Sequence, residues 1–374
     1  MKPGGPIAGA TWAPTAPFFS VSGIILLLGA VEPSAIPCDF RYPWPGTIST
    51  TRTGTGPIPG ESRSRYKGFD SRSTAPIASA DTGGPQRHPG PGETAIIRLG
   101  HISDLHVADR GRYPRHGLTP KDCDKHSVRL LKGLLGALEE LEVDHLVVTG
   151  DLTLSGEPTE FEKVKKLLEP WIEAGKLTAL PGNHDVWSYE AAEKFRFLRA
   201  LGPDGNGMRA AVQSFPRAVP LGDDAVLVAL DSARWGEDPW ETPGKLGSQQ
   251  LRDARELVRE YARRERAVLL AVHHHLVIPA ERVPSDARVA RMPLADADQL
   301  VRLVAELPIA AVLHGHRHVA FRVDLPGPSG TTPVLCAGSA SRVADEPVRR
   351  ARAFVYEIDR TGVKNVESFV AGME

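Results

Sequence analysis

The amino-acid sequence predicts an α/β fold, in which short buried strands alternate with amphipathic helices. Two observations support this class. Short apolar runs rich in Val, Leu and Ala recur from residue 95 onward, and most segments between them carry apolar residues at helical spacing. Further strand-like runs follow near the C-terminus, and they suggest an antiparallel addition to one sheet. Residues 95–374 are therefore predicted to form the ordered domain.

Residues 1–94 differ in composition from the rest of the chain. They are rich in Pro, Gly, Ser and Thr and lack a sustained helical or strand period, which predicts a disordered extension. One apolar run, residues 17–31, is shorter than a typical membrane span. As a signal peptide it would have only Lys2 as its positive region. Three interpretations stay open. The first is a leader with no structural role, or one that is not part of the natural protein, whose true start would then lie downstream. The second is a secretory signal, and the third is a membrane anchor.

The bulk composition suits a soluble globular protein. Of 374 residues, 41% are hydrophobic and 24% are charged, and the formal net charge is -1, so no global charge attracts nucleic acid or an anionic membrane. Cys38, Cys123 and Cys336 are scattered and form neither a disulfide framework nor a CxxC metal site. This usage favours a reducing compartment. We predict a cytoplasmic protein, while residues 17–31 leave export open.

The first series of strands and helices is predicted from residue 96 onward. Its strands are 96–102, 145–149 and 177–180, and its helices are 128–141 and 161–172. Pro158 and the acidic residues Glu157 and Glu160 lie where the second helix should begin. Pro170 is expected to end or kink this helix early, because proline lacks the backbone donor that a helix interior needs.

A second series is predicted from residue 225 onward. Its strands are 225–230, 267–272 and 309–313, its helices are 249–264 and 295–307, and the closing strands are 320–323, 333–337, 353–358 and 363–370. Ser248 is predicted to cap the first of these helices. Strands this short and this apolar are typical of a sheet covered on both faces.

Five of the predicted strands are each followed at once by polar side chains of the kind that bind metals. The clusters are Asp104 with His106, Asp151, Asn183 with His184, His273, and His316 with His318. Each cluster alone is more simply explained as a cap, a turn or a solvated loop. The repetition is informative, because the carboxyl ends of strands in an α/β sheet converge on one edge. We therefore expect these side chains to meet.

The residue types in these clusters fit a pair of metal ions. Asp104 and His106 point to the same side if the backbone is extended, and the two later histidines have the same spacing. A carboxylate such as Asp151 has two oxygens and can bridge two cations. Mixed His, Asp and Asn ligands suit Mn, Fe or Zn, and they differ from the ligands of a thiolate-type structural zinc.

Together the five motifs resemble the full motif set of the calcineurin-like metallophosphoesterases. The motifs are Asp104-x-His106, Gly150-Asp151, Gly182-Asn183-His184-Asp185, His273 and Gly315-His316-x-His318, in the family's order. The resemblance covers roughly Ile96 to the C-terminus. The run His273-His274-His275, followed by Pro279, is most similar to the branch that contains bacterial cyclic-nucleotide phosphodiesterases.

The resemblance implies a fold and a role for each matching residue. The fold is a four-layer α/β/β/α sandwich of two mixed sheets, with the metals at one edge and the disordered extension before it. Matching positions imply one metal held by Asp104, His106 and His318, another held by Asn183, His273 and His316, and Asp151 as the bridge. His273 is preferred because it follows its strand directly, and His274 is its rival. His184 would be the catalytic acid or would stabilise an anion.

The implied activity is phosphoester hydrolysis by attack of a metal-bridged hydroxide on phosphorus, with two ions drawn from Mn, Fe or Zn. The substrate is predicted to be a small or nucleotide-like diester. The alternatives are a pyrophosphate hydrolase of a nucleotide-lipid precursor and, in another class, a non-catalytic scaffold that reuses the fold. No feature predicts a nucleic-acid or membrane partner, and the oligomeric state is left open.

Two further residues near the predicted ligands are given supporting roles. Asp185 either orients His184 or caps the next helix near Tyr189, and capping is favoured. His101 has the opposite strand parity to Asp104, so it is expected at the surface or behind the ligands.

Two further sets are expected near the site. The histidines that support ligands or simply pack are His274, His275 and His314. The loops expected to choose the substrate are 109–121, 188–215, 233–246 and 276–293. Arg282, Arg288 and Arg291 on the last loop either contact phosphate or are solvated.

Overall fold

The computed structural model describes residues 95–202, 215–240, 242–279 and 292–371. The predictions for the extension 1–94 and for the apolar run within it lie outside these ranges, as do those for Arg282, Arg288 and Arg291. Within the described ranges, no helix combines the length and the apolar character needed to cross a membrane.

Strands and helices alternate through most of the described chain. The strands are β1 (Ile97–Ile102), β2 (His145–Val148), β3 (Leu177–Ala179), β4 (Arg217–Leu221), β5 (Ala225–Ala229), β6 (Ala267–Ala271), β7 (Ala311–His314), β8 (Ala320–Gly327), β9 (Gly330–Ala337), β10 (Arg352–Asp359) and β11 (Gly362–Val370). The helices are α1 (Pro120–Asp124), α2 (Val128–Glu140), α3 (Pro158–Glu173), α4 (Tyr189–Glu193), α5 (Arg196–Leu201), α6 (Ser248–Arg263) and α7 (Ala297–Glu306).

These strands form two mixed sheets. The first has the order β11-β10-β1-β2-β3, and the second has the order β4-β5-β6-β7-β9-β8. In the first sheet β1, β2 and β3 are parallel, and in the second β5, β6, β7 and β9 are parallel. The antiparallel strands β10, β11, β4 and β8 lie outside these parallel cores. The carboxyl ends of the parallel strands therefore supply the loops that build the site.

The two sheets pack face to face between outer helices. One buried cluster joins Leu99 and Tyr356 of the first sheet to Leu227 and Leu269 of the second. A second cluster packs α2, α3 and α5 on the outer face of the first sheet, and a third packs α6 and α7 on the outer face of the second. The predicted four-layer α/β/β/α sandwich of two mixed sheets is confirmed.

Local packing explains two departures from the predicted elements. Pro170 lies inside α3, and the helix continues to Glu173 because Leu168 and Trp171 on either side of it are buried against the outer core. Ser248 is the first residue of α6, and it is not the cap. The amides of Leu246 and Gly247 before the helix donate instead to the Asp296 carboxylate, at 3.0 and 2.7 Å.

Strand pairing explains two further departures. The closing strands do not extend a single sheet: β8 and β9 join the second sheet, whereas β10 and β11 join the first. Strand β4 was not predicted from the sequence. It is an edge strand that pairs only with β5, and its exposed Pro220 weakens the apolar pattern that would have indicated it.

Candidate metal centre

The loops after β1 and β2 run side by side and bring the first two clusters together. Asp104 N–H donates to Gly150 O and His106 N–H donates to Asp151 O, each at 3.0 Å. Asp104, His106 and Asp151 have φ values of 53°, 43° and 51°. The expectation that extended backbone aims Asp104 and His106 to one side is therefore wrong, because left-handed turns aim them.

The first donor group consists of Asp104, His106, Asp151 and His318. His318 Nε2 lies 2.8 Å from His106 Nε2 and 3.0 Å from Asp104 Oδ1. His106 Nε2 lies 3.6 Å from Asp151 Oδ2. Two imidazoles and two carboxylates thus point their donor atoms at one small volume.

The second donor group consists of Asp151, Asn183, His273 and His316. Asn183 Oδ1 lies 3.1 Å from both His273 Nε2 and His316 Nδ1, and these two nitrogens are 3.3 Å apart. Asp151 Oδ2 lies 3.4 Å from His273 Nε2. Asp151 belongs to both groups, so the two groups lie side by side and have this residue in common.

The donor chemistry of both groups fits metal ions. Nitrogen and oxygen ligands sit about 2.0–2.2 Å from a bound transition metal, so ligands of one ion lie about 3–3.5 Å apart. The donor distances given above, 2.8–3.6 Å, are close to this range. Asp104 and Asp151 are both buried, and buried carboxylates need a compensating cation. A Cβ added at Gly182 would collide with Asp151, and one at Gly315 would collide with Ser103 and Asp104. At these two glycines the backbone lies so close to the donors that no side chain would fit.

Backbone acceptors fix which ring nitrogens face the two groups. His273 Nδ1 donates to Thr149 O at 2.7 Å, which leaves Nε2 to face Asn183. His316 Nε2 donates to Met292 O at 2.9 Å, which leaves Nδ1 to face the same amide. Such outer contacts are how proteins hold metal-binding imidazoles in one orientation.

One contact in the first group works against metal binding. Arg342 Nη1 lies 3.2 Å from His318 Nδ1. Because a guanidinium can only donate, this contact places the proton of a neutral His318 on Nε2, where it faces Asp104. A ligand nitrogen needs its lone pair, so the Arg342 contact must loosen when Nε2 binds a metal.

The charges of the site are strongly coupled. Burial acts to raise the pKa of the Asp104 carboxyl, but His318 and His106 lower it well below its ordinary value. Burial acts to lower the pKa of His273, yet the charge of Asp151 and its hydrogen bond raise it to about 9. His273 therefore favours its protonated form beside the Asp151 carboxylate.

His184 lies beside the donors without joining them. Its backbone N–H donates to Asp151 Oδ1 at 2.9 Å, and its ring stacks on Trp187 at 4.3 Å and meets His106 edge-on at 4.6 Å. Its Nδ1 donates to Leu154 O at 2.7 Å, so Nε2 is left without a backbone partner. Burial lowers the pKa of this ring to about 4, and the Asp151 charge opposes the shift.

Asp185 has neither of the roles considered for it. The helix near Tyr189 is capped by Ser188, whose hydroxyl accepts from Ala191 N–H. The Asp185 carboxylate instead accepts from Gly182 N–H at 2.9 Å and from the amide and hydroxyl of Thr153, at 2.9 and 2.7 Å. It thereby ties the loop after β3 to the loop after β2.

Four other histidines named from the sequence lie behind the donors. His101 is buried, not at the surface, and its ring nitrogens lie 2.9 Å from Tyr356 Oη and Thr149 Oγ1. His274 Nδ1 lies 2.8 Å from Ser232 Oγ, whereas His273 Nε2 lies among the donor atoms of the second group. His275 stacks on His316, and His314 donates to Gly315 O.

One histidine near the first group was missed in the sequence. His126 lies in the turn between α1 and α2, away from every strand end, and it is only 9% exposed. With His106 and His318 it forms a further group of possible metal ligands. No spacing rule connects it to the strand-end motifs, so only the three-dimensional structure reveals it.

Comparisons with known proteins show what the chain is similar to. The calcineurin-like phosphoesterase family model matches residues 97–320. A probable cyclic nucleotide phosphodiesterase from Rhodococcus erythropolis (strain PR4 / NBRC 100887) is 28% identical over 257 residues, which are 66% of this chain and 72% of that protein. A cAMP/cGMP dual specificity phosphodiesterase from Mycobacterium tuberculosis (strain CDC 1551 / Oshkosh) is 28% identical over 232 residues, which are 61% of this chain and 63% of that protein. A dimetal phosphatase from Danio rerio superposes with a TM-score of 0.45 at 12% identity, over 74% of this chain and 99% of that one.

Proposed function

This chain belongs to the calcineurin-like phosphoesterase family and is a phosphoester hydrolase, and from that membership we propose that it is a dinuclear metal-dependent phosphodiesterase acting on small, nucleotide-like diesters. The observation that carries the proposal is the pair of donor groups that share Asp151. Every position of the two groups holds a residue able to bind a metal, which argues against a non-catalytic scaffold.

Each of the two donor groups would hold one metal ion. Asp104, His106 and His318 would hold the first ion, Asn183, His273 and His316 would hold the second, and Asp151 would contact both. Such ions, when bound, supply Lewis acidity toward the phosphoryl oxygens and an activated water. Mn, Fe and Zn all suit this mixture of nitrogen and oxygen donors.

His184 is proposed to move the proton of the reaction at its Nε2 atom. With Nδ1 tied to Leu154 O and the pKa lowered to about 4, Nε2 carries a lone pair at neutral pH. A phosphoryl anion placed beside the ring raises its proton affinity, since a nearby opposite charge favours the charged form. The ring therefore takes up a proton as substrate binds and then donates it to the leaving oxygen.

The surroundings of His184 support a planar leaving group. Trp240 is 44% exposed, and its ring centre lies 6.4 Å from that of His184 and 4.7 Å from that of the buried Trp187. A leaving group whose oxygen meets His184 extends toward this indole. Aromatic side chains stack on nucleobases with about 1–3 kcal/mol per base. The names of the two sequence relatives, both cyclic-nucleotide phosphodiesterases, point to the same substrate class.

The main test is hydrolysis by purified protein loaded with Mn, Fe or Zn. The substrates are 3′,5′-cyclic nucleotides, an aryl phosphodiester, an aryl phosphomonoester and a nucleotide-diphosphate lipid analogue. We expect the diesters to react faster than the monoester. A preference for the lipid analogue would favour the pyrophosphatase alternative, and a protein that binds no metal and hydrolyses nothing would overturn the proposal.

Two variants test the assigned roles. His184→Ala is expected to lower kcat by about 10²–10⁴ while metal content stays at the wild-type level. Asp151→Asn is expected to lower the content of both metals, because it serves both groups. If His184→Ala keeps the wild-type kcat, the proton-transfer role is wrong.

A third variant tests the leaving-group platform. Trp240→Ala is expected to raise KM for a cyclic nucleotide by about five- to a hundredfold through lost stacking, and to leave KM for dimethyl phosphate unchanged. Trp235→Ala is the matched control, since Trp235 is similarly exposed but packs on Tyr189 instead of the His184 cluster. Equal effects of both variants would contradict the assignment.

A further inference from the structure

His126 lies against the first donor group although it belongs to none of the strand-end motifs. Its ring centre is 4.4 Å from that of His106 and 5.5 Å from that of His318. It is 91% buried, in a turn between two helices where a surface residue would be the usual choice. A buried imidazole at this position calls for a partner at both ring nitrogens.

The turn that carries His126 is held to the loop before β10. Ser127 N–H donates to Ser341 O at 2.8 Å, and Val343 N–H donates to Lys125 O at 2.9 Å. These bonds flank a bridge between His126 and Arg342. The backbone of His126 is thus fixed relative to the donors, and its approach to them is built into the fold.

The partner of Nδ1 defines the tautomer. His126 Nδ1 lies 2.8 Å from Ser341 Oγ, and that hydroxyl donates to Asp104 O at 3.4 Å. When the hydroxyl proton points at the Asp104 carbonyl, which can only accept, Ser341 Oγ accepts from Nδ1–H. In that arrangement the proton of a neutral His126 is on Nδ1, and Nε2 keeps its lone pair.

We propose that His126 Nε2 is an additional ligand of the metal ion held by the first donor group. Each of His106, His126 and His318 offers one nitrogen, and these three nitrogens lie within 4.8 Å of one another. A shift of about an ångström would bring all three within bonding distance of one ion. The inference rests on the metal centre proposed above and does not depend on which diester is hydrolysed.

The extra nitrogen would increase the chemical difference between the two metal positions. The first position would have three imidazoles and two carboxylates, and the second would have two imidazoles, one amide and one carboxylate. Nitrogen donors favour the later first-row metals over Mn. We therefore expect Fe, Co or Zn to bind the first position more tightly than the second.

The test measures metal binding directly and does not use turnover. His126→Ala and His126→Gln are stripped of metal and titrated with Co²⁺, with calorimetry giving the affinities and visible absorption reporting the coordination of the ion. We expect one of the two Kd values to rise at least about tenfold and its absorption bands to change. Ser341→Ala should produce a smaller change of the same sign. His116→Gln, an exposed histidine of the preceding loop, is the matched control and should leave both Kd values unchanged.

The outcomes separate this inference from the proposed function. If wild-type protein binds no Co²⁺, the metal centre itself fails. If wild-type protein binds two ions and both His126 variants keep its affinities and absorption, only the His126 assignment fails. A weaker affinity with an unchanged absorption spectrum also overturns it, because His126 would then support His106 without touching the ion. Thermal melting in chelator, which should match wild type, shows that the variants fold.

Discussion

At the scale of single residues, five of the seven donors occupy backbone conformations that most residues avoid. Asp104, His106, Asp151, His316 and His318 all have φ between 43° and 75°. A residue other than glycine in this left-handed region costs about 1–3 kcal/mol. Backbone bonds such as His106 N–H to Asp151 O offset part of that cost. The geometry of the site therefore depends on main-chain contacts as much as on the choice of ligand side chains.

The Arg342 contact leads to a prediction about metal affinity. Arg342→Gln is expected to tighten metal binding to the first donor group by about two- to tenfold, because the glutamine oxygen can accept from His318 Nδ1–H and free Nε2 for the metal. Calorimetric titration of the metal-free protein measures the change. Arg349→Gln, which removes an arginine that pairs with Glu346 at the surface, controls for the loss of charge. Weaker binding in Arg342→Gln alone would contradict the prediction.

At the scale of elements, the loops after the parallel strands are closely packed, whereas the outer helices have room. Gly315→Ala would push a methyl group into Ser103 and Asp104, while Gly133→Ala on α2 would meet nothing within 4 Å. We expect Gly315→Ala to lower both stability and metal content. We expect Gly133→Ala to raise stability by about 0.5–1 kcal/mol, since alanine is the better helix former. Urea unfolding and metal analysis of the two variants provide the comparison, and equal stabilities would contradict it.

Strand β2 gives a prediction about pH. His145 is buried at its start, 2.8 Å from Thr178 Oγ1 on β3. Burial, with help from Arg217 and Lys176, lowers its pKa to about 4, compared with about 6.5 in the unfolded chain. Between these values the unfolded state binds the proton more readily, so stability is complete above pH 6.5 and falls as the pH drops toward 4.

His145→Gln, which cannot titrate, should lose less stability than wild type over this range. The difference between the two proteins should be up to about 3 kcal/mol. Urea unfolding of both proteins at pH 7.5 and at pH 4.5 gives the change in the free energy of unfolding with pH for each. Parallel pH dependence in both proteins would show that His145 does not titrate as described.

At the scale of the whole molecule, the site joins the two sheets. The loops of the first sheet supply Asp104, His106, Asp151 and Asn183, and the loops of the second supply His273, His316 and His318. Hydrogen bonds already cross this boundary, among them those from His273 Nδ1 to Thr149 O and from His316 N–H to the Asp104 carboxylate. Metal bound here would link elements that are far apart in sequence.

Removal of metal is therefore expected to lower the melting temperature. A ligand present at a hundredfold excess over its Kd stabilises the folded state by about 2.7 kcal/mol. Scanning calorimetry with and without chelator measures the loss, and Asp151→Asn, which should bind metal weakly, is expected to show a smaller difference. A protein that binds metal yet melts at the same temperature with chelator would contradict the expectation.

The sequence predicts the architecture better than it predicts the details of the site. Strands such as β5 and β6 are continuous apolar runs, so their positions and burial follow from composition alone. The strand-end residues could be named because their order along the chain is itself a signal. The left-handed turns at Asp104 and His106 could not, because their dihedrals are imposed by contacts with the loop after β2. His126 has no sequence signal, since only tertiary folding brings its turn to the site.

The alanines between the sheets have a consequence for engineering. Ala225, Ala229, Ala267, Ala271 and Ala311 all lie in the cluster that joins the two layers, and their small side chains allow a close separation. Larger residues there would be an obvious way to seek thermostability. They would also slide or spread the layers, and with them the two halves of the metal site. Screens that select only for heat resistance should therefore enrich variants that fold well but bind metal weakly, although none of the metal ligands is substituted.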